Sequence, residues 1–204
     1  TAVELGIFDA LETEPLAANQ IATRLGLETR ACELLLNALV SLSLIEKHHE
    51  LFALTSVAKT YLLKSSTHYL GGMIRFESSL WHCWENLPQA IRSGKPVRPA
   101  NMYQDDQSET AIFISAMDSL VRARGDADVM AAAIDWNNVE ELLDVGSGPA
   151  SYPIALCEKL PRLRATIFDL PATLGITEGY VRAASLQGRI KLIAGDYRSD
   201  PISG

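Results

Sequence analysis

The residues best arranged for chemistry are Asp144, Gly146, Gly148 and Asp169. The first three lie in Leu142-Leu143-Asp144-Val145-Gly146-Ser147-Gly148-Pro149-Ala150. Two aliphatics and an acid precede a turn with two glycines, and Ser151-Tyr152-Pro153-Ile154-Ala155-Leu156 then resumes an apolar pattern. This reads as a short buried strand, a tight turn and the first turn of a helix. Glycine at 146 and 148 lets the backbone come close to a ligand, and a helix N-terminus offers unpaired N–H groups. Asp169 closes a second apolar strand, Ala165-Thr166-Ile167-Phe168-Asp169, one strand-helix-strand unit further on. Nucleotide-binding folds place a carboxylate there for ribose hydroxyls.

The turn is not a dinucleotide fingerprint, because Ser151 stands where the third glycine of G-x-G-x-x-G would be. It also lacks the lysine of a phosphate loop. D-x-G-x-G followed by an acid at the next strand end resembles S-adenosylmethionine-dependent methyltransferases. Their ligand has an amino-acid tail, a ribose and an adenine but no phosphate. The alternative is a glycine turn serving another nucleotide-like ligand, or none.

These residues need a scaffold. With 204 residues, 48% of them apolar, the chain suffices for one large domain or two small ones. No apolar run approaches the ~18 residues of a membrane span, and the amphipathic opening Thr1–Phe8 has no basic leader of a signal peptide. A start at Thr1 inside a helical pattern suggests that the native N-terminus lies further upstream. A net charge of −7 argues against nucleic acid as the main partner. Cys32, Cys83 and Cys157 are widely spaced in apolar surroundings and read as reduced cytoplasmic core thiols, with no metal site.

Residues 1–64 carry a first helix through Leu11, a second from Leu16 to Leu25 closed by Gly26, and a third from Arg30 to about Ile45 capped by Thr29. Two short strands flank His48-His49, and Thr55 starts a further helix. Helices, a hairpin and a helix make a winged helix. A DNA-reading helix must keep Arg, Lys, Asn or Gln free on one face. Helix 30–45 offers only Arg30, Glu33 and Asn37 among leucines, which suits packing or dimerisation better.

Residues 65–138 form a helical link. Tyr69 to Glu85 is rich in aromatics for a chain with only 7% of them. At helical spacing Phe76, Leu80 and Trp84 share one face, and Met73, Glu77 and Trp81 another. That face either wedges two domains together or walls a pocket for a planar aromatic substrate. A loop over Ser93–Pro99 and one long helix from Ser108 to Ile134 follow.

Together these segments resemble the plant-type and hydroxyindole-type small-molecule O-methyltransferases, bacterial members included. Ala2–Leu11 is similar to that family's opening helix, and Leu34–Val40 with Phe52–Thr55 to its dimerisation winged helix. Leu142–Ala150, Phe168-Asp169-Leu170-Pro171 and Ala194-Gly195-Asp196-Tyr197 are similar to its three cofactor segments. The resemblance implies an α/β chain: a mostly helical winged-helix dimerisation domain (1–64), a helical linker with substrate-pocket helices (65–138), and the first half of a Rossmann-like domain (139–204). It implies S-adenosylmethionine as cofactor, S-adenosylhomocysteine as product and a homodimer. The backbone at Gly146 and Gly148 would meet the methionine part, Asp169 the ribose hydroxyls, and Leu170, Asp196 and Tyr197 the adenine. Met117 would lie near the methyl donor, and Met73, Phe76 and Trp81 would border the substrate.

Ala150 departs from the family pattern, in which glycine is common at that position, so a slightly tighter turn is expected. The family's general-base histidine lies in later sequence, and the chain reads as part of a longer protein. The catalytic base is therefore left unassigned. The implied activity is methyl transfer to a hydroxyl of a small aromatic or polyketide-like molecule. Carbon methylation, for instance on a tetrapyrrole, a non-methylating relative and a winged-helix ligand sensor are the alternatives.

Overall fold

The computed structural model describes residues 1–98 and 106–202. Two short helices, α1 (Ala2–Leu5) and α2 (Ile7–Ala10), are separated by Gly6, whose φ of 75° is left-handed. One continuous opening helix was expected. Its apolar spacing persists across the break, so Ile7 and Phe8 still face the core. Strand β1 (Leu16–Ala17) precedes α3 (Ala18–Leu25), so Leu16 pairs as a strand instead of opening the helix.

Helix α4 (Thr29–Ser41) is capped one residue earlier than the sequence suggested. The Glu28 carboxylate accepts from the N–H groups of Arg30 (3.0 Å) and Ala31 (2.6 Å), which also lowers its pKa. Strands β2 (Ile45–His48) and β3 (Leu51–Leu54) form a hairpin, and with β1 an antiparallel sheet of order β1-β3-β2. Thr55 caps α5 (Ser56–Tyr61), as expected: its hydroxyl accepts from Ala58 N–H and donates to Leu44 O. These elements enclose one core, including Ile7, Phe8, Ile21, Leu36, Ile45 and Phe52.

Beyond it, α6 (Gly71–Ser79), α7 (Trp81–Glu85) and α8 (Leu87–Ser93) follow one another with breaks at Leu80 and Asn86. The loop expected over Ser93–Pro99 reaches Pro99, outside the described residues. Helix α9 (Gln107–Arg124) starts at the Asp106 cap and ends at Gly125, a left-handed residue that also opens α10 (Asp126–Ala133). The single helix expected over 108–134 is thus two, turned by one glycine. Helix α6 crosses α9 closely at Gly72, where a Cβ would lie 2.8 Å from Ser115 O and 2.9 Å from Ser119 Cβ.

The C-terminal part alternates β4 (Glu141–Val145), α11 (Ser151–Lys159), β5 (Arg164–Asp169), α12 (Pro171–Ala183) and β6 (Ile190–Ala194). The strands are parallel in the order β4-β5-β6. Leu142, Ala165, Ile167, Ile190 and Leu192 join Leu156, Cys157, Leu174 and Val181 in a second core. Leu143 and Val145, pointing to the other face of β4, are exposed.

Arg189 ties down the end of α11. Its guanidinium donates to the carbonyls of Cys157 (2.6 Å), Leu160 and Pro161 (both 3.1 Å) and more loosely Leu163 (3.5 Å). A cation over the terminal carbonyls also complements the helix dipole. Arg189→Ala should lower stability by about 2 kcal/mol, the scale of charged hydrogen bonds lost at half-buried acceptors. Urea unfolding monitored by circular dichroism would show it as a lower midpoint with an unchanged slope.

Candidate cofactor site

Parallel pairing gathers the site. Val145 is in register with Phe168, and Asp169 with Ala194, so the loops after all three strands leave from one edge of the sheet. Gly146 N–H donates to Phe168 O (2.9 Å) and Gly195 N–H to Asp169 O (3.0 Å), extending the ladder one residue past the strands. Ligands of open parallel sheets bind at these carboxyl ends.

The turn after β4 is left-handed at Gly146 (φ 76°), Gly148 (φ 60°) and Ala150 (φ 62°). A Cβ on Gly146 would meet nothing within 4 Å among the described residues, which leaves room for a ligand against that backbone. Ala150 holds the left-handed conformation with its methyl fully buried in the second core. Such a conformation costs a non-glycine residue about 1–2 kcal/mol. The departure at 150 is thus accommodated as local strain.

Side chains from several elements fix this turn. Ser147 donates to Asp144 Oδ2 (2.8 Å). Burial pushes the Asp144 carboxyl above the usual range, the Ser147 hydroxyl opposes that, and the nearby Asp169 charge adds to it. Asp169 accepts from Gly148 N–H at Oδ2 (2.8 Å) and from Leu170 N–H at Oδ1 (2.7 Å). Ser151, the first residue of α11, donates to Asp118 on α9 (2.7 Å).

Gly146, Asp169, Leu170, Asp196 and Tyr197 line one cavity of about 220 Å³, with Phe168, Gly195 and Arg198 completing it. Gly148 sits beside it through its bond to Asp169. Tyr197 is 64% exposed, so its ring is open to a ligand. The Asp196 carboxylate is engaged by Arg198, which donates from both Nε and Nη2 at 2.6–3.1 Å and from its backbone N–H. These bonds hold its carboxyl down at about 2. Arg198 was not anticipated; an arginine two residues after an acid carries no positional signal.

Met117 is half-buried on α9 and is not part of that cavity wall. Ile114 of the same helix does reach the turn, 3.5 Å from where a Gly148 Cβ would stand. Phe76 is buried on α6 with its ring edge-on to Phe113 of α9, 5.5 Å between centroids, and Met73 is half-buried nearby in sequence. Trp81 is not brought to this group: it begins a new helix after the break at Leu80 and is 74% exposed.

A larger cavity, about 560 Å³, opens among α9, α10, α11 and α12. It is lined by the outer faces of α11 and α12, and of the predicted site residues it contains none. None of the four histidines lines the smaller cavity. His48 pairs with Glu46, His68 lies against Arg122 O, and His82 lies against Ser79 O. Among the described residues no group of His, Cys, Asp and Glu could hold a metal, and no helix is long and apolar enough to cross a membrane.

Residues 1–64 match the O-methyltransferase dimerisation domain, and residues 84–204 match the O-methyltransferase domain. The chain is 30% identical over 208 residues to a 3-hydroxy-5-methyl-1-naphthoate 3-O-methyltransferase of Streptomyces sahachiroi, covering 98% of this chain and 59% of that protein. It is 29% identical to the acetylserotonin O-methyltransferase of Bos taurus, covering 98% and 62%. Its fold matches human N-acetylserotonin methyltransferase, solved in complex with SAM, with a TM-score of 0.83 at 23% identity over 99% of this chain and 62% of that one. The chain thus spans about three fifths of the length of these relatives. An N-terminal helical dimerisation domain joined to a parallel α/β unit, matched by both models, decides the classification: the chain belongs to the O-methyltransferase family.

Proposed function

We propose that the protein is an S-adenosylmethionine-dependent methyltransferase that methylates a hydroxyl of a small aromatic or polyketide-like molecule. One observation carries the reading. A turn with left-handed glycines, a carboxylate at the next strand end and an acid–tyrosine pair after the third strand converge on a single cavity.

The residues present fit this cofactor. The cavity offers a carboxylate, an exposed phenol ring and open space over Gly146. Among the described residues its one lining cation, Arg198, is already paired with Asp196. The turn has Ser151 where a dinucleotide fingerprint has its third glycine and no phosphate-loop lysine, so a phosphate-free nucleoside suits it better than a dinucleotide. Gly146 and Gly148 would receive the methionine end, Asp169 would accept from the ribose hydroxyls, and Leu170, Asp196 and Tyr197 would hold the adenine. Met117 would border the donor end, with Met73 and Phe76 along the acceptor; Trp81, exposed beyond the break at Leu80, is not placed there. When bound, the cofactor supplies a sulfonium methyl for in-line transfer, so the protein's main task is alignment. The catalytic base is left unassigned.

We divide the chain as a winged-helix dimerisation domain (1–64), a linker with pocket helices (65–138) and the first half of a Rossmann-like domain (139–204). The separate first core within Val3–Leu63 supports the first boundary. The homodimer is supported by α4 and the residue that ends it, where Leu34 and Leu42 stand 62% and 66% exposed. Three free thiols, two of them buried, agree with a cytoplasmic setting.

The test is an assay of the full-length protein with isotopically labelled methyl donor and a panel of phenolic naphthoates and polyketide-type phenols, read by mass spectrometry. Label on a hydroxyl oxygen is the expected result. Label on carbon or nitrogen would correct the acceptor atom, and no transfer to any acceptor would contradict the activity. Light scattering on the same sample should report twice the chain mass; a monomer would remove the dimer.

A further inference from the structure

We propose that Thr177 is a positioning residue for the cofactor turn, a role that rests on the methyltransferase reading above. Thr177 lies two turns into α12, the helix that begins directly after Asp169-Leu170. Its side chain is fully buried, and a buried hydroxyl requires a partner. Two carbonyl oxygens are in reach: Gly148 O at 2.6 Å and Thr173 O at 2.9 Å.

A threonine hydroxyl has one proton to donate. Thr173 O lies four residues back in the same helix, where it already accepts a backbone N–H. Gly148 O has no other donor among the described residues, and it is the closer of the two. The proton therefore belongs to Gly148 O.

This makes Gly148 clamped on both sides by side chains from other elements. Its N–H is held by Asp169 Oδ2 at the end of β5, and its carbonyl by Thr177 on α12. The two groups belong to consecutive peptide planes, so fixing both fixes the φ and ψ between them. Glycine needs such fixing, since it visits both signs of φ with equal ease. Without the hydroxyl the 148–149 peptide can rotate, and the donors that follow it at the start of α11 rotate with it. Thr177 need not touch the ligand to do this.

Two substitutions separate this role from simple packing. Thr177→Val keeps the volume and removes the hydroxyl; Thr177→Ser keeps the hydroxyl and removes a buried methyl. Binding of S-adenosylhomocysteine to the full-length protein is measured by calorimetry for both, beside thermal unfolding without ligand. Val181→Ala, in the same helix and the same core, is the control for general destabilisation. The valine variant should bind about tenfold more weakly, the scale set by leaving a buried carbonyl without its donor. The serine variant and Val181→Ala should stay within about threefold of wild type although both lose buried methyl groups. If the valine chain does not fold, Thr177→Ala against Thr177→Ser makes the same comparison with two smaller side chains. Wild-type affinity in the hydroxyl-free variant, or equal losses in the serine and hydroxyl-free variants, would overturn the proposal. A folded wild type that does not bind would instead overturn the methyltransferase reading together with this one.

Discussion

Asp169→Ala should weaken S-adenosylhomocysteine binding by at least thirtyfold, the combined scale of a lost charge-assisted acceptor and a loosened turn. The carboxylate braces the site before any ligand arrives, accepting from Gly148 N–H and Leu170 N–H. It thereby links the glycine turn to the start of α12. Each oxygen keeps a further lone pair, and these are what the proposed ribose contact would use. Alanine removes both functions at once. Asparagine keeps one carbonyl oxygen and discards the charge, so Asp169→Asn should fall between the two. The measurement is calorimetric, on protein shown by circular dichroism to be folded. Equal affinity in the alanine variant would remove Asp169 from the site.

The second large effect is expected at Gly195, with a steric cause. A Cβ there would lie 2.3 Å from Phe168 Cζ and 2.6 Å from Cε2. Phe168 is almost completely buried, so its ring can give way only toward the cavity it lines. Gly195→Ala should therefore cost about 3 kcal/mol, the upper part of the range for overpacking. For a chain of this length that is a fall in Tm of about 6–12 °C. Gly146→Ala is the instructive contrast. Its φ is 76° but among the described residues nothing beyond its chain neighbours lies within 4 Å of the added carbon, so only the backbone strain of about 1–2 kcal/mol applies. Differential scanning calorimetry of both should rank Gly195→Ala as the more damaging. The reverse order would mean that the Phe168 ring yields easily, and that Gly195 does not shape the cavity.

The parts of this architecture that local chemistry dictates were readable before the fold. Strand, glycine turn and helix were visible between Leu142 and Leu156, because an apolar run, glycines and a renewed apolar period follow in sequence. The Thr55 cap and the Gly26 stop were visible for the same reason. Gly6 and Gly125 were not, since one glycine inside an apolar helical pattern is compatible with continuation, and only the left-handed φ ends the helix. Leu16 and Ala17 read as helix because a two-residue strand has no period of its own; its pairing to Phe52 and Leu51 is tertiary.

At the site, Gly146 and Asp169 were legible from the strand, the glycine turn and the acid one strand–helix–strand unit on, whereas Leu170, Asp196 and Tyr197 were implied only by the family resemblance. Trp81, expected beside Met73 and Phe76 at the substrate, stands exposed: the helix that would carry it on one face with Met73 is broken at Leu80. Thr177 left no trace at all, because a threonine on a helix looks the same whether its hydroxyl faces solvent, its own helix or a neighbouring turn.

The most direct test of the central claim is calorimetric titration of the wild-type full-length protein with S-adenosylhomocysteine, with a dinucleotide as comparison ligand. The cavity, with Asp169 at the strand end and Ser151 in place of a dinucleotide fingerprint's third glycine, predicts saturable binding at one site per chain and no measurable heat from the dinucleotide. A folded protein that ignores S-adenosylhomocysteine, or prefers the phosphate-bearing ligand, would contradict the account.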